Sequence, residues 1–371
     1  MKTIFLVRNI EPNKYGGGES YQLELARVLL RNNVRPIIVT SCNRLYENAQ
    51  KAGIEVIRAP FFKRQNWSGW RNILLPIYIV KQQLLKHWYV KQIKKYQPDI
   101  LDIESRDDFI AATRAGRQLK KQIFWTDHAD FRIWVMQNIN VKGKNFIGKW
   151  ILRLANIPDK IIMISEYEKQ YFEENIRKLP NLLVISNGVV DEYEQYQNQA
   201  SQKTVCYLGR LSFEKGLREL IEAFDMLTEH DIILHMYGDG DDEAEVKKLA
   251  ANNPHIVMHG YADQPLQKIS ESQYFILPSY HEGMSIALLE ALMLGRTIIA
   301  THVTGNTEVI QDKYNGRLIP DHDAKAISDI LLELFNDKKQ SQTLAKNARA
   351  TYCEKYNYEA NIQTKLLPLF K

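Results

Sequence analysis

Two carboxylates, Glu282 and Glu290, stand with seven residues between them in the stretch from Ser279 to Gly295. The pattern predicts a strand ending near Pro278, a tight loop, a helix over about 285–294, a glycine stop at Gly295 and a new apolar strand from Thr297. The start of such a helix leaves amide N–H groups free at Gly283, Met284 and Ser285, beside the Glu282 carboxylate. Free amides at a helix N-terminus suit phosphate and hydroxyl oxygens. Glu290 falls mid-helix among Ala287, Leu288, Leu289, Ala291 and Leu292, where an unpaired charge is costly to bury. It calls for a polyol partner. Two carboxylates that accept sugar hydroxyls, flanking a helix dipole that holds a diphosphate, describe a nucleotide-sugar site.

Cations of the right kind lie upstream. Arg210 and Lys215 follow a predicted strand over 204–208, and Gly216 lets the next helix begin close to them. Such a strand end can neutralise a departing diphosphate, although alone the pair would read as ordinary surface charge. Gly16, Gly17 and Gly18 follow the first strand, and consecutive glycines let backbone amides approach a phosphate or sugar closely. Their spacing lacks the Gly-x-Gly-x-x-Gly fingerprint of a dinucleotide fold, which argues against a dehydrogenase. Asp239 and Asp241 read as turn and cap residues, so no metal and no cofactor is expected.

These residues resemble the motifs of the GT-B fold retaining glycosyltransferases of family 4, and the resemblance covers nearly the whole chain. Glu282, seven residues and Glu290 resemble the family's C-terminal signature. Gly209-Arg210-Leu211 with Glu214-Lys215-Gly216 is similar to its Gly-Arg-Leu…Glu-Lys-Gly motif, and Tyr237-Gly238-Asp239-Gly240 to its Gly-x-Gly turn. Ile185 to Val189 resembles the family's passage between domains, and Gly16 to Glu19 its first-domain glycine loop. By the same resemblance His128, after a Trp-containing strand, reaches the donor sugar. Where the family often has two adjacent glycines before a helix, this chain has Thr304-Gly305.

Short apolar runs alternate with helical patterns along the whole chain, as βαβ units require. A sequence of 371 residues exceeds one ordinary core. The expected class is α/β: two doubly wound Rossmann-like domains facing across a cleft, over 1–190 and 204–356. A polar linker over 191–203 joins them, and the resemblance implies a last helix, 357–371, crossing back to the first domain. Ligands of such sheets bind outside the carboxyl ends of the strands.

The charge is divided. Through Val190 there are 31 Lys and Arg against 17 Asp and Glu; the remainder carries 18 against 27. All six tryptophans lie in the basic half. From Arg58 to Pro98 there are nine Lys or Arg and no acidic residue. Lys63, Arg64, Trp67, Trp70, Lys86, Lys91, Lys94 and Lys95 there read as a contact with an anionic membrane surface. Tryptophans that simply pack the core are the plainer alternative. No apolar run reaches the length of a membrane span, and the apolar core of the first residues is too short for a signal peptide. Three scattered cysteines without a Cys-x-x-Cys pattern fit a reducing compartment.

The expectation is a cytoplasmic glycosyltransferase, peripheral at the inner face of the membrane. It would move a hexose from a UDP- or GDP-sugar to a saccharide or lipid-linked acceptor in bacterial cell-surface glycan synthesis, with no nucleic-acid partner. The resemblance implies that Glu290 holds ribose hydroxyls, Glu282 and the neighbouring amides the sugar, and Arg210 and Lys215 the diphosphate. It also implies retention of configuration through a same-face, oxocarbenium-like state. The alternatives are a nucleotide-sugar epimerase of the same fold and a catalytically silent accessory subunit.

Overall fold

The computed structural model describes residues 1–13, 15–61, 75–127, 146–197 and 200–370, without the side chains of 106, 107, 146 and 202. Two units emerge: residues Met1–Ser186 with Ile362–Lys371, and residues Asn187–Asn361. Each is built on a parallel sheet, as the alternating pattern requires.

In the first unit β1 (Thr3–Val7), β2 (Arg35–Thr40), β3 (Glu55–Arg58), β4 (Ile100–Ile103), β5 (Gln122–Thr126), β6 (Lys160–Met163) and β7 (Leu182–Val184) lie in the order β3-β2-β1-β4-β5-β6-β7. All five residues of β1 are buried, because helices cover both faces of a parallel sheet and the strand can be apolar throughout. The last helical turn belongs to this unit, where Phe370 stacks on Phe124 of β5 with ring centroids 5.6 Å apart.

In the second unit β8 (Ser201–Leu208), β9 (Ile233–Tyr237), β10 (Ile256–Gly260), β11 (Ser272–Leu277), β12 (Thr297–Thr301) and β13 (Arg317–Ile319) lie in the order β10-β9-β8-β11-β12-β13. The direction of winding reverses between β8 and β11, which pair directly. That reversal leaves a crevice at their carboxyl ends, the usual ligand position in such sheets.

The division between units falls at Ser186, ahead of the expected 190. Backbone pairing explains this. Val189 donates to the Tyr356 carbonyl at 3.2 Å and accepts from Tyr358 at 3.1 Å. A side chain at Gly188 would press on the Tyr356 carbonyl at 2.6 Å. The stretch 191–203 also lies within the second unit. Its polar composition hides two anchors, Tyr193 and Tyr196, which pack against the core, and β8 already begins at Ser201.

The basic helix Leu75–Tyr96 turns Tyr78, Gln82, Leu85, Tyr89 and Ile93 into the first core. Opposite them, Ile77, Val80 and Leu84 face solvent, Leu84 with 59% of its surface exposed. Along the same face His87, Lys91, Lys94 and Lys95 are also exposed. Trp88 packs against the core, as do Trp125 and Trp150, so for these three the plainer reading of the tryptophans holds. No described helix is long and apolar enough to cross a membrane.

Candidate donor site

The second unit's switch point gathers the loops after β8 and β11. Beyond β8, Gly209 and Leu211 donate to the carbonyls of Tyr237 and Asp239, so the chain stays tied to the neighbouring strand end. Gly238, at φ 141°, must be glycine here, because a Cβ would lie 1.8 Å from the Gly209 carbonyl oxygen. A 3-10 turn over Phe213–Lys215 follows. Its Phe213 N–H is held by the Asp242 carboxylate at 2.8 Å. Gly216 then turns left-handed at φ 68° and starts the helix Leu217–Asp225. A Cβ at Gly216 would lie 2.0 Å from the Pro278 carbonyl oxygen. The two loops are therefore in backbone contact.

Two further bonds join them. The Tyr280 N–H donates to the Glu214 carbonyl at 2.9 Å. Lys215 Nζ donates to Glu282 Oε1 at 2.9 Å, with 16% and 10% of the two side chains exposed. Ser279 Oγ donates to the same carboxylate oxygen at 2.7 Å. Behind the loop, Thr301 Oγ1 donates to the Ser279 carbonyl at 2.5 Å, and Asn306 Nδ2 donates to the Thr301 carbonyl at 3.1 Å. The cation and the carboxylate assigned separate tasks in the sequence thus form one ion pair, oriented by buried hydroxyls and an amide.

Gly305 completes the support. A Cβ there would fall 1.6 Å from the Gly283 carbonyl oxygen and 2.6 Å from that of Glu282, so this single glycine lets the helix Thr304–Val309 lie on the loop. Ser285 caps the helix Ile286–Met293, its Oγ accepting the Leu288 N–H at 3.4 Å. Gly283 is exposed, and Met284 and Ser285 are half-buried beside it.

Arg210 stands apart from the ion pair. Its side chain is 62% exposed and faces Glu214 Oε1 at 3.6 Å, a loose contact that leaves it free to reorient. Glu290 sits within its helix among the apolar side chains of Leu288, Leu289 and Leu292 and keeps partial access to solvent. Burial pushes its carboxyl up to about 8, and the Glu192 carboxylate acts in the same direction. A carboxyl so placed gains from any ligand that donates hydrogen bonds to its charged form.

In the first unit Gly17 and Gly18 form the opening turn of the helix Gly17–Arg31, despite the low helix propensity of glycine. Glu19 makes the difference: its carboxylate accepts the Gly16 N–H at 2.8 Å and the Arg8 Nε–H at 2.5 Å. The Arg8 guanidinium lies directly over Gly18, 2.0 Å from where a Cβ would be. His128, Lys63, Arg64, Trp67 and Trp70 lie outside the described residues. Among the described residues, no cluster of three His, Cys, Asp or Glu side chains could hold a metal ion.

Sequence reasoning passed over Asp242, Ser279, Thr301 and Asn306, which hold the loops. Asp242 is the third aspartate of a run that begins at Asp239, and its separation from Phe213 in sequence concealed the contact. Ser279 and Thr301 lie at strand ends on either side of the glutamate signature, and Asn306 lies in the helix that follows Thr301.

The comparisons with known proteins agree with this geometry. The model of the family Glycosyl transferases group 1 matches residues 191–351, and that of Glycosyltransferase Family 4 matches residues 15–193. The chain belongs to the group 1, family 4 type of glycosyltransferase. It is 27% identical over 296 residues to the uncharacterized glycosyltransferase MJ1069 of Methanocaldococcus jannaschii, across 72% of this chain and 74% of that protein. It is 25% identical over 233 residues to a poly(ribitol-phosphate) alpha-N-acetylglucosaminyltransferase of Staphylococcus aureus, across 60% of this chain but only 46% of that one. In structure it is similar to Anabaena HepE, solved in complex with UDP-glucose, with a TM-score of 0.76, 18% identity and coverage of 100% and 99%. The enzyme is therefore a GT-B fold glycosyltransferase, and its relatives include one named for capsular polysaccharide biosynthesis in Staphylococcus aureus.

Proposed function

We propose that this glycosyltransferase moves a hexose from a nucleoside diphosphate sugar, UDP- or GDP-linked, to a saccharide or lipid-linked acceptor, with retention of configuration. The observation that carries this reading is the Lys215–Glu282 ion pair, held at the β8/β11 switch point by Ser279, Thr301 and Asn306. A similar fold solved with UDP-glucose supports the class of donor.

The chemistry follows from the parts. Loss of the glycosyl group leaves negative charge on the diphosphate, so cations placed there act most strongly in the transition state. Lys215 is positioned by its carboxylate partner, and Arg210 is free to swing onto the phosphates. Glu282 and the amides of Gly283, Met284 and Ser285 hold the sugar hydroxyls and phosphate oxygens, and Glu290 holds the ribose hydroxyls. Gly238, packed against the Gly209 carbonyl, is assigned to the donor as well. His128, Gly17 and Gly18 are assigned to the donor from the first unit. The leaving phosphate takes the acceptor proton on the same face as departure, and the protein contributes position and charge.

The acceptor is delivered at a membrane. The exposed face of the helix Leu75–Tyr96 presents Ile77, Val80 and Leu84 and then Lys91, Lys94 and Lys95, an apolar end beside a basic one. That combination suits the boundary between acyl chains and anionic headgroups at the inner face of a membrane. Lys63, Arg64, Trp67 and Trp70 are assigned to the same contact, whereas Lys86, half-buried in line with Gln82, Tyr89 and Ile93, borders the core face and is dropped from it.

The test is transfer from a panel of nucleotide sugars, read as release of nucleoside diphosphate and appearance of glycosylated acceptor. An anomeric configuration in the product that matches the donor's supports retention; inversion contradicts it.

A further inference from the structure

The donor-side loops leave the carboxyl ends of β8 and β11. At the opposite, amino ends of β8, β11 and β12 a separate cavity of about 470 Å3 opens beneath the helices Ala324–Asn336 and Lys338–Thr351. Phe335, half-buried, offers it an aromatic floor, its ring backed by the buried ring of Tyr274 at 4.3 Å. Its charged lining is Lys203, Arg296 and Lys338, with His230 beside them and no Asp or Glu. An adjoining cavity of about 620 Å3 shares Arg296 and also has no carboxylate in its lining. From Asp191 onward this chain carries 18 Lys and Arg against 27 Asp and Glu, so a cavity lined by cations alone runs against the local composition.

Arg296 is the centre of this arrangement. It follows the Gly295 turn that ends the helix bearing Glu290, and its Nη1 donates to the Ser272 carbonyl at 3.3 Å. Its Nε is buried without an acceptor. An unpaired buried donor on a guanidinium is costly, and an oxyanion is the acceptor that best matches the fork of Nε and Nη2.

We propose that this cavity is a second ligand site, distinct from the donor site, for an organic phosphate monoester with a flat or apolar body. The phosphate lies among Arg296, Lys203 and Lys338, and the body rests on Phe335. Neither the family signature nor the donor chemistry uses any of these residues.

Calorimetric titration with phenyl phosphate and with inorganic phosphate tests it on the full chain. The wild type binds phenyl phosphate saturably and more tightly than inorganic phosphate. Arg296→Gln and the pair Lys203→Gln/Lys338→Gln each weaken phenyl phosphate at least about tenfold. The lysine pair lies at the rim, so it decides the matter should Arg296→Gln fail to fold. Unchanged binding in the lysine pair, or no saturable binding to the wild type, overturns the site. Equal affinity for the two probes overturns the role of the aromatic floor.

Discussion

Lys215 Nζ and Glu282 Oε1 lie 2.9 Å apart across two loops that leave adjacent strands of the second sheet. Neither residue acts alone. Lys215→Ala strands a carboxylate that only Ser279 then supports, and Glu282→Ala strands a largely covered ammonium. Each single change should cost roughly 1–3 kcal/mol of stability, while the double change costs less than their sum. Thermal and denaturant unfolding of the three variants measure the coupling. Strict additivity would show that the pair contributes nothing to the loop.

The same lysine separates binding from chemistry. Lys215→Ala should lower kcat by about 10²–10³, with a smaller change in donor affinity, because its charge meets the leaving diphosphate most fully in the transition state. Steady-state kinetics with calorimetric donor binding give both numbers. A raised KM with kcat intact would assign Lys215 to uniform binding.

Glu290 makes a prediction about pH. Its carboxyl is pushed up to about 8 in the folded chain from an ordinary 4.5. Between those values the folded state binds more protons than the unfolded one, so this group makes stability fall as pH rises, by at most about 1.4 kcal/mol per unit. Glu290→Gln should flatten that decline and exceed the wild type in melting temperature at pH 8.5, with little difference near pH 4.5. It should also weaken nucleotide binding by roughly 1.5–3 kcal/mol, since ribose hydroxyls lose a charged acceptor. Donor binding to the wild type at pH 7 should release protons, read as a dependence of calorimetric heat on the buffer's ionisation enthalpy. Parallel stability curves for the two proteins would remove the raised Glu290 carboxyl from this account.

Gly305 is a steric prediction. A methyl group there would sit 1.6 Å from the Gly283 carbonyl oxygen, so Gly305→Ala must displace the loop that carries Glu282. Overpacking of this kind costs typically about 1–3 kcal/mol, and the displaced carboxylate should reduce turnover as well. Gly305 does not have a positive φ, so the cost of alanine there is steric alone. Wild-type activity in Gly305→Ala would show that the loop does not depend on this approach.

The membrane reading rests on the exposed face of the helix Leu75–Tyr96. Replacing Lys91, Lys94 and Lys95 by Gln should weaken partition onto anionic vesicles by about 1 kcal/mol per cation near the surface, with the loss largest at low salt. Ile77→Ser with Leu84→Ser should remove the part that salt does not affect. Co-sedimentation at two salt concentrations reads both. Equal wild-type partition onto neutral and anionic vesicles would favour a soluble acceptor.

The strands of both sheets were legible because buried parallel strands are continuous apolar runs, as in Thr3–Val7 and Thr297–Thr301. The glutamate signature and the Arg210 to Gly216 motif were legible as residue types at set spacing. Their meeting was not, because the Lys215–Glu282 pair spans 67 positions and depends on which strands are neighbours. The expected linker failed for a related reason: Tyr193 and Tyr196 are only two residues, too few to create an apolar period, yet both reach the core. The helix start at Gly17 was hidden by the low helix propensity of glycine, which the Arg8–Glu19–Gly16 bonding overrides. On the helix Leu75–Tyr96, isoleucines and leucines on opposite faces blurred the period, and burial of Tyr78, Gln82 and Tyr89 resolves it.

Release of nucleoside diphosphate from nucleotide sugars by the purified wild type and by Lys215→Ala tests the central claim most directly. The account predicts saturable release from at least one UDP- or GDP-hexose by the wild type, stimulated by an acceptor. It predicts a rate about 10²–10³ lower in the variant, which should retain most of its affinity for the donor. Release that is absent across the panel, or that proceeds equally well without Lys215, would contradict a donor site built on the Lys215–Glu282 pair.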